Sequence, residues 1–243
     1  ERCPPKAEVR GSNPFGCANM LLYLKRDLRP GRFQRAQGIS FFGTTMDTFE
    51  TAKDYFLKGL AFQQKGIWDE AERMYSESLN FVPNRLSTLI NLANTQYRLN
   101  KLENARKTAE KAVEIDPDNS DALCQLGAIL VARGANEAAV KILDKCLSIE
   151  PKLAEAHSNR GNALKDLKRL DEALASYEKA ITLKPSIDFT LGHYCLLAQS
   201  LGNWAVFDKW ADTIIQKTKA GEKICNPWAA SQMFDDPGLL YQS

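Results

Sequence analysis

Residues 154–185, AEAHSNRGNALKDLKRLDEALASYEKAITLKP, carry large apolar residues at helical spacing in two successive segments. This pattern predicts two amphipathic helices. Pro185 closes the second one, because proline lacks a backbone N–H and cannot occupy a helix interior. Gly161 and Ala173 place small side chains inside the two helices, which would let the helices approach each other closely.

The same pattern occurs four times with a period of 34 residues. Pro83, Pro117, Pro151 and Pro185 mark the period, and they define the repeats 52–85, 86–119, 120–153 and 154–187. Small residues recur at the eighth and twentieth places of these repeats. We expect these residues to be packing positions: Gly59, Ala93, Gly127 and Gly161 at the eighth place, and Ala71, Ala105, Ala139 and Ala173 at the twentieth.

These repeats resemble tetratricopeptide repeats, and residues 154–185 are close to the consensus of that family. The resemblance implies an all-α fold, a right-handed superhelix of tetratricopeptide helix pairs followed by a C-terminal helical linker. In such an array each repeat buries its apolar faces on its neighbours. The resemblance also implies that the first helices line a concave groove, which holds a peptide or another extended protein segment.

The groove is expected to present side-chain amides. In the tetratricopeptide fold the sixth and ninth places of the first helix face the groove. An amide both donates and accepts hydrogen bonds, so a row of amides can bind a peptide main chain without reading its side chains. The alternative is that these residues only solvate a helix face. The candidate groove residues are Asn91, Asn94, Gln125, Asn159 and Asn162.

A carboxylate clamp, which some repeats of this family use to bind a C-terminal carboxylate, is not expected. In the register of the first three repeats the clamp places hold Phe56, Leu60, Asn91, Asp121 and Gln125. One repeat further along they hold Ile90, Asn94, Gln125, Glu155 and Asn159. Neither set contains the cations that such a clamp requires.

Beyond residue 187 the period fails. Residues 188–220 read as a degenerate fifth helix pair joined at Gly202, and 221–243 read as a linker rich in turn residues. Trp204, Phe207 and Trp210 share roughly one face of a helix. The simplest interpretation is a capping helix that closes the open end of the array.

Residues 188–239 also resemble the junction between the repeats and the catalytic region of SPINDLY-like protein O-GlcNAc transferases. The residues that match that junction are Gly192, Trp204, Phe207, Asn226, Pro227, Asp235, Asp236 and Pro237. The resemblance implies a missing two-lobed region that uses a UDP-sugar donor, and residues 221–243 would lead towards it. This chain contains no residue to which a catalytic role can be transferred, so we expect no catalytic residue, cofactor or metal site in it.

The first 45 residues differ in composition from the rest. They hold eight Lys/Arg and three Asp/Glu, several prolines and glycines, and no sustained period. We expect the protein to start at Met46, with residues 1–45 being either a disordered leader or a spurious extension of the gene. The six cysteines lack a C-x-x-C pair, which favours reduced thiols in the cytoplasm.

The net charge of +2 gives no electrostatic case for nucleic-acid or membrane binding. Two functions therefore remain open. Residues 46–187 and their linker could recruit acceptor or client proteins, as extended segments, for a protein O-glycosyltransferase that moves GlcNAc from UDP-GlcNAc to Ser or Thr. Alternatively, the chain is a stand-alone scaffold that only binds protein. In either case we expect the isolated chain to be catalytically inactive.

Overall fold

A computed structural model describes residues 45–187, 189–220, 222 and 225. This part of the chain is all-α, as predicted, and contains no strand. The chain divides into two compact units, Glu1–Pro117 and Asp118–Ser243. The helices of the first unit are α1 (Thr45–Gln64), α2 (Trp68–Phe81), α3 (Leu86–Arg98) and α4 (Leu102–Ile115). Those of the second are α5 (Ser120–Ala132), α6 (Asn136–Ile149), α7 (Ala154–Asp166), α8 (Leu170–Leu183), α9 (Thr190–Ser200) and α10 (Trp204–Lys219).

The turn inside each helix pair has the same backbone conformation. The fifteenth residue of every pair has a left-handed φ, and the next residue donates its N–H to the carbonyl five residues earlier, at 2.8–3.0 Å. This is the pattern of a Schellman C-cap, which favours glycine. The residues are Gly66, Asn100, Gly134, Lys168 and Gly202, with φ of 73°, 57°, 74°, 63° and 74°. The turn between α9 and α10 therefore keeps the register of the repeats.

The second helix of each repeat ends shortly before the proline. At the C-caps Val82, Asp116, Glu150 and Lys184, the backbone N–H donates to the carbonyl of the small residue four places earlier. The proline that follows has no N–H to continue this series, and it biases the preceding residue away from helical backbone angles.

The two helices of a repeat touch at the eighth and twenty-fourth places. A Cβ added to Gly59 would lie 2.6 Å from the ring of Tyr75, and one added to Gly161 would lie 2.6 Å from the ring of Tyr177. In the third repeat a Cβ on Gly127 would lie 2.5 Å from Leu143. Glycine therefore stands at the eighth place wherever a large side chain stands at the twenty-fourth.

The second repeat combines these two places differently. Its eighth residue is Ala93, and its twenty-fourth is Ala109. Compared with the other three repeats, the first helix therefore has a larger residue at this place and the second helix has a smaller one. Both alanines are buried. Alanines at the twentieth place, Ala71, Ala105, Ala139 and Ala173, are also fully buried.

A helix with the length and apolar content needed to span a membrane does not occur in the described ranges, 45–187 and 189–220.

A double-mutant cycle at Gly161 and Tyr177 tests the close contact in the fourth repeat. Gly161→Ala should destabilise the chain by about 1–3 kcal/mol, because the added methyl group overpacks the contact with the Tyr177 ring. In a Tyr177→Ala background the same change should become stabilising by about 1 kcal/mol, since alanine is the better helix former and the ring is gone. Urea-induced unfolding followed by circular dichroism gives both values. The same sign in both backgrounds would contradict the contact.

Candidate protein-binding site

In the first unit, the two candidate groove residues lie on α3 and differ in their hydrogen bonding. Asn91 is half-buried, and its Nδ2 donates to the carbonyl of Ser87 at 2.8 Å, one turn earlier on the same helix. Its Oδ1 has no partner in the described chain. Asn94 is buried, and its Oδ1 also lacks a hydrogen-bond partner there. Each residue therefore keeps an acceptor that a ligand N–H could use.

Gln125 on α5 is the most unusual candidate in the second unit. Its side chain is 1% exposed, and neither the amide nitrogen nor the amide oxygen has a hydrogen-bond partner in the described part of the protein. Leaving a buried polar group unpaired costs about 1–3 kcal/mol, so native proteins seldom do so without a reason.

The two candidates on α7, Asn159 and Asn162, differ in their hydrogen bonding. Asn159 is half-buried, and its Nδ2 reaches only the Sγ of Cys124, at 3.9 Å, which is a weak contact. Asn162 accepts a hydrogen bond from the hydroxyl of Tyr177 at 2.8 Å through its Oδ1. Asn159 therefore remains largely available to a ligand, whereas the oxygen of Asn162 is used to join α7 to α8.

Hydrogen bonds that join the two helices of one repeat also occur in the first unit. The hydroxyl of Tyr75 donates to Oε1 of Gln63 at 2.6 Å, and that of Thr108 donates to Oε1 of Gln96 at 2.8 Å. In each case a hydroxyl on the second helix of a repeat bonds an amide oxygen on the first. An amide on a first helix is thus not by itself a mark of a binding surface.

Acidic side chains stand one turn before the amides on α5 and α7. Asp121 precedes Gln125 by four residues, and Glu155 precedes Asn159 by four, so each pair shares one face of its helix. Burial, together with the carboxylates of Glu150 and Glu155, raises the pKa of Asp121 to about 6. Both glutamates therefore act electrostatically on Asp121.

These acids are the functional candidates that the groove prediction left out. The register that was used above to exclude a carboxylate clamp places Asp121 and Glu155 among the groove positions. The same register puts His193 on α9, where burial lowers the pKa of the imidazole to about 4. His193 is therefore neutral near pH 7 and brings no positive charge to this face.

The described part of the predicted linker consists mainly of α10. Trp204 is 55% exposed, and it meets Phe207 edge-to-face with ring centroids 6.4 Å apart. The residues of α10 that are buried are Ile214 and Thr218. The other linker residues of the prediction, Pro227, Asp236 and Pro237, lie outside the described residues.

Gly192 on α9 is a close-packing position next to the linker. A Cβ added to it would lie 2.8 Å from Sγ and 3.0 Å from Cα of Cys225. Cys225 is buried, and its thiol forms no disulfide, nor do those of Cys124, Cys146 and Cys195. No group of three or more His, Cys, Asp and Glu residues in the described chain could hold a metal ion.

Replacing Gln125 tests whether its amide is unsatisfied in the unliganded protein. Gln125→Met keeps the side-chain volume and removes both polar atoms, so the free energy of unfolding should rise by about 1–2 kcal/mol. Gln96→Met is the matched control. Gln96 is also buried but accepts a hydrogen bond from Thr108, so its replacement should lower the stability. Urea denaturation measures both, and a Gln125→Met protein that is less stable than the native chain would contradict the unpaired amide.

Two family models match the chain. Both are described as "Tetratricopeptide repeat", one over residues 102–158 and the other over 154–187. The chain is also similar to the human "Protein O-mannosyl-transferase TMTC1", with 27% identity over 131 residues, which cover 52% of this chain and 15% of that protein. It is 24% identical over 155 residues to the "Protein CTR9 homolog" of Arabidopsis thaliana, covering 61% of this chain and 14% of the relative. The chain thus spans about one seventh of the length of these relatives.

Solved structures show the same fold. The structure of MamA aligns with a TM-score of 0.57 at 24% identity, covering 71% of this chain and 94% of that one. YrrB, described as "a TPR protein with an unusual peptide-binding site", aligns with a TM-score of 0.54 at 17% identity, covering 83% and 96%. TTC0263 from Thermus thermophilus aligns with a TM-score of 0.58 at 22% identity, covering 69% and 92%. The family models thus match residues 102–187 as tetratricopeptide repeats, and the solved structures share the fold of the described helices.

Proposed function

We propose that this chain is a protein-binding module that holds extended protein segments on the first helices of its repeats. The observation that carries this function is the unpaired amide of Gln125, whose nitrogen and oxygen are both buried without partners in the described chain. A peptide main chain offers one N–H and one C=O per residue, so it can supply the donor and the acceptor that this amide lacks.

The neighbouring amide supports the same function. Asn159 stands one repeat after Gln125 at the same register place, and its hydrogen bonding within the described chain is limited to the 3.9 Å contact with a thiol. Two amides that bind a main chain at equivalent places of adjacent repeats would select an extended segment and tolerate many sequences. The peptide-binding site for which the YrrB structure is described gives this proposal a precedent among proteins of the same fold.

The binding function predicts different outcomes for two asparagines on α7. Asn159→Ala should weaken binding of a neutral, extended Ser/Gln peptide by about five- to tenfold, the value of one or two hydrogen bonds, and should leave thermal stability nearly unchanged. Asn162→Ala should instead lower the melting temperature, because it removes the acceptor of the Tyr177 hydroxyl. Fluorescence anisotropy and thermal melts measure the two effects. Unaltered peptide affinity in Asn159→Ala would contradict the proposed role.

We propose further that the module recruits acceptor proteins for a protein O-glycosyltransferase, which would transfer GlcNAc from UDP-GlcNAc to Ser or Thr. This finer function is supported by the resemblance of residues 188–239 to the junction of SPINDLY-like enzymes. It is also supported by the similarity to a relative named as a protein O-mannosyl-transferase. The close packing of Gly192 on Cys225 ties the fifth helix pair to the start of that linker.

A stand-alone scaffold is the second candidate, and the helices favour it equally. The ten helices of the described chain succeed one another as five helix pairs, an arrangement that a scaffold needs as much as a recruiting module does. As a scaffold, the chain would bring client proteins together without modifying them.

The gene distinguishes these two candidates. If the chain is part of a glycosyltransferase, the reading frame should continue past the Ser243 codon into two α/β lobes, while a purified chain of the present sequence should transfer no GlcNAc to protein. Sequencing the gene and a transfer assay with labelled UDP-GlcNAc test this. A stop codon directly after Ser243 would leave the scaffold function, and transfer by the chain itself would contradict the expectation that it holds no catalytic residue.

A further inference from the structure

The fifth helix pair departs from the packing of the four repeats at one place. At the twentieth place, where each repeat has a fully buried alanine, the fifth pair has Phe207, which is half-buried. A ring at this place keeps the first half of α10 away from α9, because a large side chain does not fit where an alanine does. The buried residues of α10, Ile214 and Thr218, accordingly both lie in its second half.

A cavity of about 220 Å³ lies between α8, α9 and the first half of α10. Its most deeply buried lining residues are Ile181 of α8 and Tyr194 of α9, which are 5% and 7% exposed. Val206 and Trp210 of α10 are half-buried and complete the apolar lining. Since a cavity of roughly 150 Å³ can already hold benzene, this one has room for one large apolar side chain.

Two opposite charges lie at this cavity, and they come from different helices. Glu178 belongs to α8 and Lys209 to α10, and both residues are exposed. Within the described residues neither of them forms an ion pair, although Nζ of Lys209 lies 5.3 Å from the centre of the Trp210 ring. A ligand that complements both charges therefore carries a cation and an anion on either side of an apolar group.

Other classes of ligand match the cavity less well. A metal ion needs several carboxylate, imidazole or thiolate ligands, whereas Glu178 is the one such side chain among the described residues that line the cavity. A phosphate group would meet the single cation Lys209 and would be repelled by Glu178. A protein segment, in contrast, can supply an apolar side chain, a cation and an anion from neighbouring residues.

We propose that this cavity is a second protein-binding site, which takes one large apolar side chain of a partner segment that is flanked by a basic and an acidic residue. The apolar side chain packs on Tyr194 and Trp210. The basic residue pairs with Glu178, and the acidic residue pairs with Lys209. The site shares no residue with the groove amides, so it adds a partner to the extended segments that the first helices are proposed to hold.

The test uses the full chain and labelled peptides that carry Lys-Ser-Phe-Ser-Glu in a Ser/Gly framework. In an extended segment alternate side chains point the same way, so Lys, Phe and Glu can face the cavity together. Replacing Phe by Ser should weaken binding about tenfold, because the burial of the ring is lost. Peptides with two Lys or two Glu around the Phe should also bind more weakly than the mixed peptide. Fluorescence anisotropy measures all four affinities.

Reversing one charge of the site is the decisive variant. Glu178→Lys should transfer the preference from the mixed peptide to the peptide with two Glu, and Lys209→Glu should transfer it to the peptide with two Lys. The matched controls are Asp171→Lys and Lys219→Glu. These exposed residues belong to the same two helices but do not line the cavity, and their reversal changes the net charge equally. The controls should keep the preference for the mixed peptide.

A variant that fills the cavity tests its apolar part. Ala205 is an exposed residue of α10 that lines the cavity, so the ring added by Ala205→Phe can enter it without disturbing the core. Binding of the mixed peptide should be lost, whereas Ala205→Ser should retain it. Binding of the neutral Ser/Gln peptide should be the same in both variants, which separates this site from the groove. Circular dichroism verifies that each variant is folded.

Several outcomes would overturn the proposal. Equal affinity for the Phe and Ser peptides would do so, as would a preference that changes in the controls as much as in the site variants. Equally tight binding of N-acetylphenylalanine amide would make the cavity a small-molecule site. Tighter binding of a synthetic peptide of residues 226–243 would assign it to this chain itself, and self-association that Ala205→Phe abolishes would assign it to a second copy.

Discussion

The contact between the eighth and twenty-fourth places of each repeat determines how closely its two helices approach. A glycine backbone on the first helix touches Tyr75, Leu143 or Tyr177 on the second, and no Cβ fits between them. The second repeat uses Ala93 and Ala109 at these places instead. The two residues together, rather than either one, are thus constrained in volume, as expected for interiors packed as densely as crystals. Once the distance between the two helices is fixed by this contact, the first helix still has another face with which it can contact a ligand.

The turn between the paired helices imposes a second constraint, and it has a cost in two repeats. The fifteenth residue adopts a left-handed φ in all five pairs, but only three of these residues are glycine. Asn100 tolerates this conformation because its short polar side chain can bond locally, whereas Lys168 has no such compensation. Lys168 keeps φ of 63° nevertheless, with Arg169 donating to the carbonyl of Leu164 at 2.9 Å. The packing of the two helices therefore dictates the turn, and the local preference of lysine yields to it.

The sequence was sufficient to predict the helix pairs, because period, prolines and small residues all follow from close packing along one chain. The state of each groove amide could not be predicted in this way. Asn159 and Asn162 are three residues apart and chemically identical, yet one is nearly free and the other accepts from Tyr177. The difference depends on which side chain of another helix lies within reach. The effect of Glu150 and Glu155 on Asp121 was missed for the same reason, since these acids come from three separate elements.

The unpaired amide of Gln125 has a consequence for the second unit. It lowers the stability of the unliganded chain, because its two buried polar atoms lack hydrogen-bond partners in the described residues. A ligand that supplies an N–H and a C=O would relieve this penalty, so part of its binding free energy would already be stored in the free protein. An apolar residue at the same place would stabilise the helix and remove this contribution to binding. Gln125 is thus a position at which stability and binding favour different residues.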